Sequence, residues 1–265
     1  DNHTEGKLLR LTQQYFLVSA SCQSIIRDHL AVYGTLDNFA DKVAIHINDT
    51  HPAMCIPELM RIFIDDYHFD WDKAWDIVVR TVSYTNHTVL PEALETWGED
   101  IFRFRLPRIY AIIKEINERF CRAAWDRFPG NWARISKMSI VGYGQVRMAN
   151  LSVVGSHSIN GVSKLHSQIL KQDTFLDFYR MYPDRFTNVT NGIAHRRWLC
   201  YSNPRLAALL DDCIGTGYRK NSAELAEFMK FADDPDILTE LRAIKHKNKV
   251  DFANHLHAKT GEVLN

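Results

Sequence analysis

Four short segments carry the side chains best suited to chemistry on a ligand. "VAIHINDTHPAM" (43–54) runs from apolar residues into Asn48, Asp49, Thr50 and His51, with Pro52 next. "TVSYTNHTVLPEAL" (81–94) leaves a β-type run through Thr85, Asn86, His87 and Thr88 and reaches a proline and a helix. "LSVVGSHSINGVSKLH" (151–166) leaves an apolar run through Gly155, Ser156, His157 and Ser158, then meets Asn160, Gly161 and a helix. "FTNVTNGIAHRRW" (186–198) leaves a short strand through Thr190, Asn191 and Gly192 into a further helix. Asn, Asp, His and Thr offer both donors and acceptors, which is what hydroxyl groups require. Lys and Arg are sparse in these stretches, so the pattern suits a sugar or polyol. Helix capping would account for Thr50, Asp49 or Asn191 taken singly, and tight turns for Gly161 and Gly192. Capping takes one such residue per helix, however, and each segment supplies three or four.

Other groupings point elsewhere or nowhere. His46, Asp49 and His51 could be read as metal ligands, the basis of a hydrolase, but no helical pair of histidines supports this. Pro52 also holds His51 towards an extended backbone. His46 between Ile45 and Ile47 reads more simply as a hydrogen-bonded core histidine. Gly142-Tyr-Gly144 lacks the third glycine of a dinucleotide fingerprint. The basic run Lys245-His-Lys-Asn-Lys249 reads as a solvated helix face. Arg196 and Arg197 beside Trp198 are either an anion or partner contact or an ion-paired helix start. The other tryptophans read as core or interface anchors.

The elements that must position these residues alternate between strand and helix. Apolar periodicity predicts helices over 5–33, 52–67, 71–80, 106–128, 161–172, 195–201, 204–213 and 234–257, with strands over 42–48 and 186–190 and a β-type run through Tyr84. Alternation of this kind predicts an α/β fold with a mostly parallel sheet. In such a sheet the exits from strands into helices line up along one edge, and ligands bind there.

Composition sets the outer bounds. The chain has 265 residues, 46% hydrophobic and 24% charged, enough to bury a sizeable core. Lys+Arg and Asp+Glu stand at 32 each, which argues against capture of nucleic acid or an anionic membrane surface. No apolar run is long enough to span a bilayer. Five dispersed cysteines favour reduced thiols and a cytoplasmic location, so the sequons at Asn2, Asn48, Asn86 and Asn188 are discounted as glycosylation sites. The sequence starts without a signal peptide or an initiating Met and stops without a natural end, and a fragment of a longer protein is expected.

Five ordered segments resemble the α-glucan phosphorylases, the glycogen, starch and maltodextrin phosphorylase family. They are "LLRLTQQYFLVSASCQSII" (8–26), "NDTHPAMCIPELMR" (48–61), "YTNHTVLPEALETW" (84–97), "GSHSINGVSKLHSQILK" (155–171) and "NGIAHRRWL" (191–199). The resemblance implies a two-lobe, Rossmann-like glycosyltransferase of the GT-B type. Residues 1–190 would be the later part of its N-terminal lobe, and 191–265 the mostly helical beginning of its C-terminal lobe. It implies transfer of the terminal glucosyl unit of an α-1,4-glucan or maltodextrin to orthophosphate, giving glucose 1-phosphate with retention. It also implies a homodimeric parent and pyridoxal phosphate held as a Schiff base, with the cofactor's phosphate group active in acid–base relay.

By position, Asn191 and the main chain at His87 resemble the groups that hold the 6-hydroxyl of the reacting glucose, the His87 carbonyl also facing the charge that develops at the anomeric carbon. Asp49, His51 and Glu95 resemble polar residues beside that glucose, and His157 and Asn160 match a segment near the cleft. Two departures stand out. Ala194-His195 replaces a common Thr-Pro before Arg196-Arg197-Trp198. The cofactor lysine of a Glu-Ala-Ser-Gly-Thr-x-Asn-Met-Lys stretch is absent, Met229-Lys230 being only its faint echo. The expectation is therefore a chain with part of the sugar-binding cleft, no catalytic residue and no metal or cofactor ligand, inactive by itself. The alternative is a non-catalytic glucan-binding or regulatory module.

Overall fold

The computed structural model describes residues 3–264; Asn2, which opens the first sequon, lies outside the described residues, as do Asp1 and Asn265. Apolar residues at helical spacing build α1 (Thr4–Tyr33), with Leu11, Val18, Cys22, Ile26 and His29 buried along one stripe. Gly34 ends it at φ 67°, its N–H donating to the Leu30 carbonyl. A residue without Cβ takes that left-handed conformation at little cost. The short α2 (Phe39–Lys42) precedes β1 (Ile45–Asn48). Then come α3 (Cys55–Arg61), a π turn over Ile62–Asp66, and α4 (Trp71–Thr81). Asp70 starts α4 by accepting from the Lys73 N–H, and β2 (Val82–Thr85) follows directly.

The next stretch departs from expectation. Pro91 starts only a single 3-10 turn, Pro91–Ala93, and the chain enters β3 (Thr96–Gly98). After α5 (Glu99–Arg105), α6 (Pro107–Arg127) and α7 (Trp132–Met138) comes a hairpin of β4 (Val141–Gly142) and β5 (Gln145–Arg147). Tyr143 and Gly144, at φ 54° and 72°, make its two-residue turn, the positive-φ pair that suits strand twist. The Gly-Tyr-Gly run is therefore hairpin chemistry. β3, β5 and β4 form a three-stranded antiparallel sheet.

Residues 151–154, expected as an apolar run out of which the polar residues lead, end helix α8 (Met148–Val154) instead. Every residue of α8 is buried, so it has no amphipathic period to betray it. The strand of that segment is β6 (Ser158–Gly161). From there α9 (Lys164–Ile169), a π turn over Leu170–Thr174 and α10 (Leu176–Met181) lead to β7 (Phe186–Asn188). The remaining elements are 3-10 turns at Pro183–Arg185 and Gly217–Arg219, a π-helical segment Arg196–Tyr201, α11 (Pro204–Ile214), a 3-10 stretch Ser222–Phe231 and α12 (Pro235–Thr260).

The main sheet has the order β1-β2-β6-β7, with every neighbouring pair parallel. Sequential parallel strands joined by right-handed crossovers put all their helices on one face. That face carries Ile47, Val82, Tyr84, Ile159 and Phe186, all buried, each worth about 2 kcal/mol of apolar burial. The other face is polar: His46, Asn48 and Thr187 are exposed and Ser83 and Ser158 half-buried. His46 is thus no core histidine. It sits on this open face, hydrogen-bonded to Ser83 and Thr85.

The chain divides into two compact units between Asn191 and Gly192. The first holds both sheets and nearly all of the core. The second is helical, with Ala207, Leu210, Tyr218 and Ile244 its buried apolar residues. Among the described residues no helix is long and apolar enough to cross a membrane.

Candidate functional site

The carboxyl ends of β1, β2, β6 and β7 share one edge, and the chain leaves each through polar residues. At the β1 exit, Asp49 stands at φ 61° with its N–H donating to the Thr85 carbonyl at 2.9 Å. The left-handed conformation is one that Asp tolerates because its carboxylate bonds locally: Oδ1 accepts from the Thr50 N–H at 2.8 Å. Oδ2 accepts more loosely from Thr88 Oγ1 at 3.4 Å. Thr50 is buried, and no side-chain cap closes the start of α3, so capping does not explain the polar run here.

His51 is exposed and faces Glu95, with Nδ1 3.4 Å from Oε2. Glu95 is 13% exposed and also receives Gln14 Nε2 at 3.3 Å and Arg10 Nη2 at 3.6 Å. Its second oxygen, Gln14 Oε1 and Trp97 Nε1 are buried without a hydrogen-bond partner. Asp49, Thr50, His51, Thr88, Glu95 and Trp97 line one cavity of about 620 Å³. A larger cavity, about 890 Å³, lies within the second unit, its apolar residues such as Leu206, Ile244 and Phe252 mixed with Asn203, His246 and Asn248. That cavity holds none of the strand-exit residues, and we place the candidate site at the sheet edge.

At the β2 exit, Asn86 is fully buried while His87 is exposed. His87 Nε2 donates to Asn48 Oδ1 at 2.5 Å, tying the β1 and β2 exits together. Asn160, at the end of β6, is buried and occupied: Oδ1 accepts from Thr85 Oγ1 at 2.7 Å and Nδ2 donates to the Gly161 carbonyl at 3.0 Å. It stands at the right edge as a strut. Past β7, Asn191 is exposed, its N–H donating to the Val162 carbonyl at 3.0 Å.

His157 is a correction. It precedes β6, its N–H donating to the Val82 carbonyl and its Nδ1 lying 3.1 Å from the Val79 carbonyl. Val82 begins β2, so His157 sits at the amino edge of the sheet, opposite the exits of Asn48, Thr85 and Asn160. The error follows from the misplaced strand: with β6 starting at Ser158, residues 155–157 lead into it. His46, Asp49 and His51 also disperse. His46 is engaged on the polar face, and no group of three His, Cys, Asp or Glu among the described residues is placed to hold a metal ion.

Sequence reasoning missed Gln14, Arg10, Trp97 and His166. Arg10 and Gln14 come from α1, far from the strand exits along the chain, and Trp97 of β3 was read only as a core or interface anchor. His166 lay within a quoted segment, but nothing in its neighbours marked it.

The sequence model of the carbohydrate phosphorylase family matches residues 1–265. A glycogen phosphorylase of Bacillus subtilis (strain 168) is 49% identical over 265 residues, covering all of this chain and 33% of that protein. A glycogen phosphorylase of Synechocystis is 45% identical, covering all of this chain and 32% of that protein. The human glycogen phosphorylase, muscle form, is 47% identical over 97% of this chain and 32% of its own length. The chain spans about a third of the length of these curated relatives.

Proposed function

This chain belongs to the carbohydrate phosphorylase family, and from that premise we propose that it forms part of the sugar-binding wall of an α-glucan phosphorylase. The parent protein, on this reading, is a cytoplasmic homodimer that moves the terminal glucosyl unit of an α-1,4-glucan to orthophosphate with retention. Asp49, His51 and Glu95 face the reacting glucose. Asn191 and the main chain at His87 hold its 6-hydroxyl, and the His87 carbonyl dipole opposes the positive charge that develops at the anomeric carbon. The observation that carries the reading is the cavity of about 620 Å³ at the carboxyl edge of the sheet. Asp49, His51, Thr88 and Glu95 meet there, a carboxylate pair with a hydroxyl and an imidazole. A mixed set of this kind matches a polyol better than an anion or an apolar ligand.

Pyridoxal phosphate is the group the family implies. A Schiff-base lysine belongs in a desolvated pocket. Every lysine among the described residues is exposed except Lys171, which is half-buried over Tyr179. The residues of this chain do not fit the group, and its lysine belongs to other sequence of the parent. The chain alone is accordingly inactive. The test is release of glucose 1-phosphate from maltodextrin and orthophosphate. We expect it from the full-length parent and not from the purified 265-residue chain. A silent parent would overturn the family activity, and an active isolated chain would overturn the division of the site.

A further inference from the structure

His166 lies under the carboxyl edge, in the first turn of α9, 6% exposed. Its two ring nitrogens reach two different strand exits. The Val162 N–H donates to Nδ1 at 3.2 Å. A main-chain N–H can only donate, so Nδ1 is the bare nitrogen and Nε2 carries the proton. Nε2 then donates to Asn86 Oδ1 at 3.1 Å. The same Oδ1 accepts from the Thr88 N–H at 3.0 Å, while Asn86 Nδ2 donates to Tyr84 Oη at 2.9 Å. Each group in this network therefore has one fixed orientation; His166, Asn86 and Tyr84 are buried, and Val162 and Thr88 half-buried.

The two exits that His166 joins are the ones the proposed site depends on. Asn86 and Thr88 flank His87 on either side. Val162 accepts the Asn191 N–H through its carbonyl at 3.0 Å. Beside the main-chain ties of Asn86 to Asn160 and Val189 to Gly161, this imidazole adds a side-chain link between the His87 turn and the backbone that holds Asn191, across about a hundred residues of sequence.

We infer that His166 is a positioning residue for the 6-hydroxyl subsite: as a neutral imidazole of one fixed tautomer, it clamps the turn bearing His87 to the backbone that holds Asn191. The inference rests on the reading that these two residues receive the 6-hydroxyl. It assigns the geometry of that grip to a residue that does not touch the sugar.

The test uses the full-length parent holoenzyme in the direction of chain elongation. Glucose 1-phosphate is compared with xylose 1-phosphate, which lacks the carbon that bears the 6-hydroxyl. The readout is the ratio of the two kcat/KM values, which does not depend on the fraction of enzyme folded. Loosening the grip by a fraction of an ångström should lower that ratio about tenfold in His166→Ala, almost wholly through glucose 1-phosphate. His166→Gln keeps a donor near the Nε2 position and offers Val162 no acceptor, so it should fall between. A ratio within twofold of wild type in both variants would overturn the inference even if both variants were less stable. A wild-type enzyme that does not discriminate between the two donors would instead overturn the placement of the 6-hydroxyl, and the inference with it.

Discussion

Gly161→Ala should damage this protein where Gly192→Ala does not, although both glycines follow an asparagine at a strand exit. A Cβ built on Gly161 lies 2.8 Å from Ser167 Oγ, 2.9 Å from Ser167 N and 3.1 Å from Ser167 Cα. The hydroxyl can rotate away, but it would give up its 2.7 Å hydrogen bond to Asn188 Oδ1. The main-chain atoms cannot rotate away; α9 must shift by a few tenths of an ångström. Overpacking of this kind costs about 1–3 kcal/mol, or roughly 3–10 °C in Tm for a domain of this size. A Cβ on Gly192 meets nothing within 4 Å, and its φ lies outside the left-handed region, so that variant should stay within about 0.5 kcal/mol of wild type. Urea unfolding of the two variants, followed by far-UV circular dichroism, decides. Equal midpoints for Gly161→Ala and wild type would refute the close approach of β6 to α9.

Two further outcomes follow from buried charge and from protonation. Glu58 is 0% exposed and accepts from Tyr15 Oη at 2.8 Å, Ser19 Oγ at 2.7 Å and two Arg61 nitrogens at 3.0 Å. Glu58→Ala leaves those donors without a buried acceptor and should cost about 3–5 kcal/mol, with Tyr15, now held up to about 12 by burial and by Glu58, titrating lower in a spectrophotometric scan; a loss under 1 kcal/mol would contradict the packing. Burial, and then the nearby His87, depress His166 below the ordinary imidazole value of 6.5. The unfolded chain therefore binds a proton first, and stability should fall as pH drops below about 6.5 and level off once the folded value is passed. Thermal midpoints between pH 7.5 and 5.5 should slope less steeply in His166→Gln than in wild type, and equal slopes would remove His166 from the linkage.

Much of the framework was legible in residue order. Helix ends carry local signals, as at Gly34 after α1 or Asp70 before α4, and local signals survive in one dimension. The strand exits at 48–51, 85–88 and 190–192 were legible because polar or turn-forming residues interrupt an apolar period at each, although the last strand ends two residues earlier than expected. The segment 151–166 failed for a matching reason. A helix buried on every side, such as α8, shows no period, so an apolar run reads equally well as strand or helix. The antiparallel sheet of β3, β4 and β5 was missed because strands of two or three residues hold by pairing across distant sequence, which leaves no local pattern.

The amino-acid sequence by itself determined the family, the α/β alternation and the residue types gathered at the strand exits, because each is written in contiguous residues. Tertiary structure alone decided which of them are buried and which are exposed at the sheet edge. Asn160 and Asn191 look alike in the chain, yet one is a buried strut and the other an exposed donor and acceptor. His157 and His166 both stand in one quoted segment, yet the first falls at the far edge of the sheet and the second clamps the near one. The difference lies in strand register and helix approach, which are set by contacts between residues tens of positions apart.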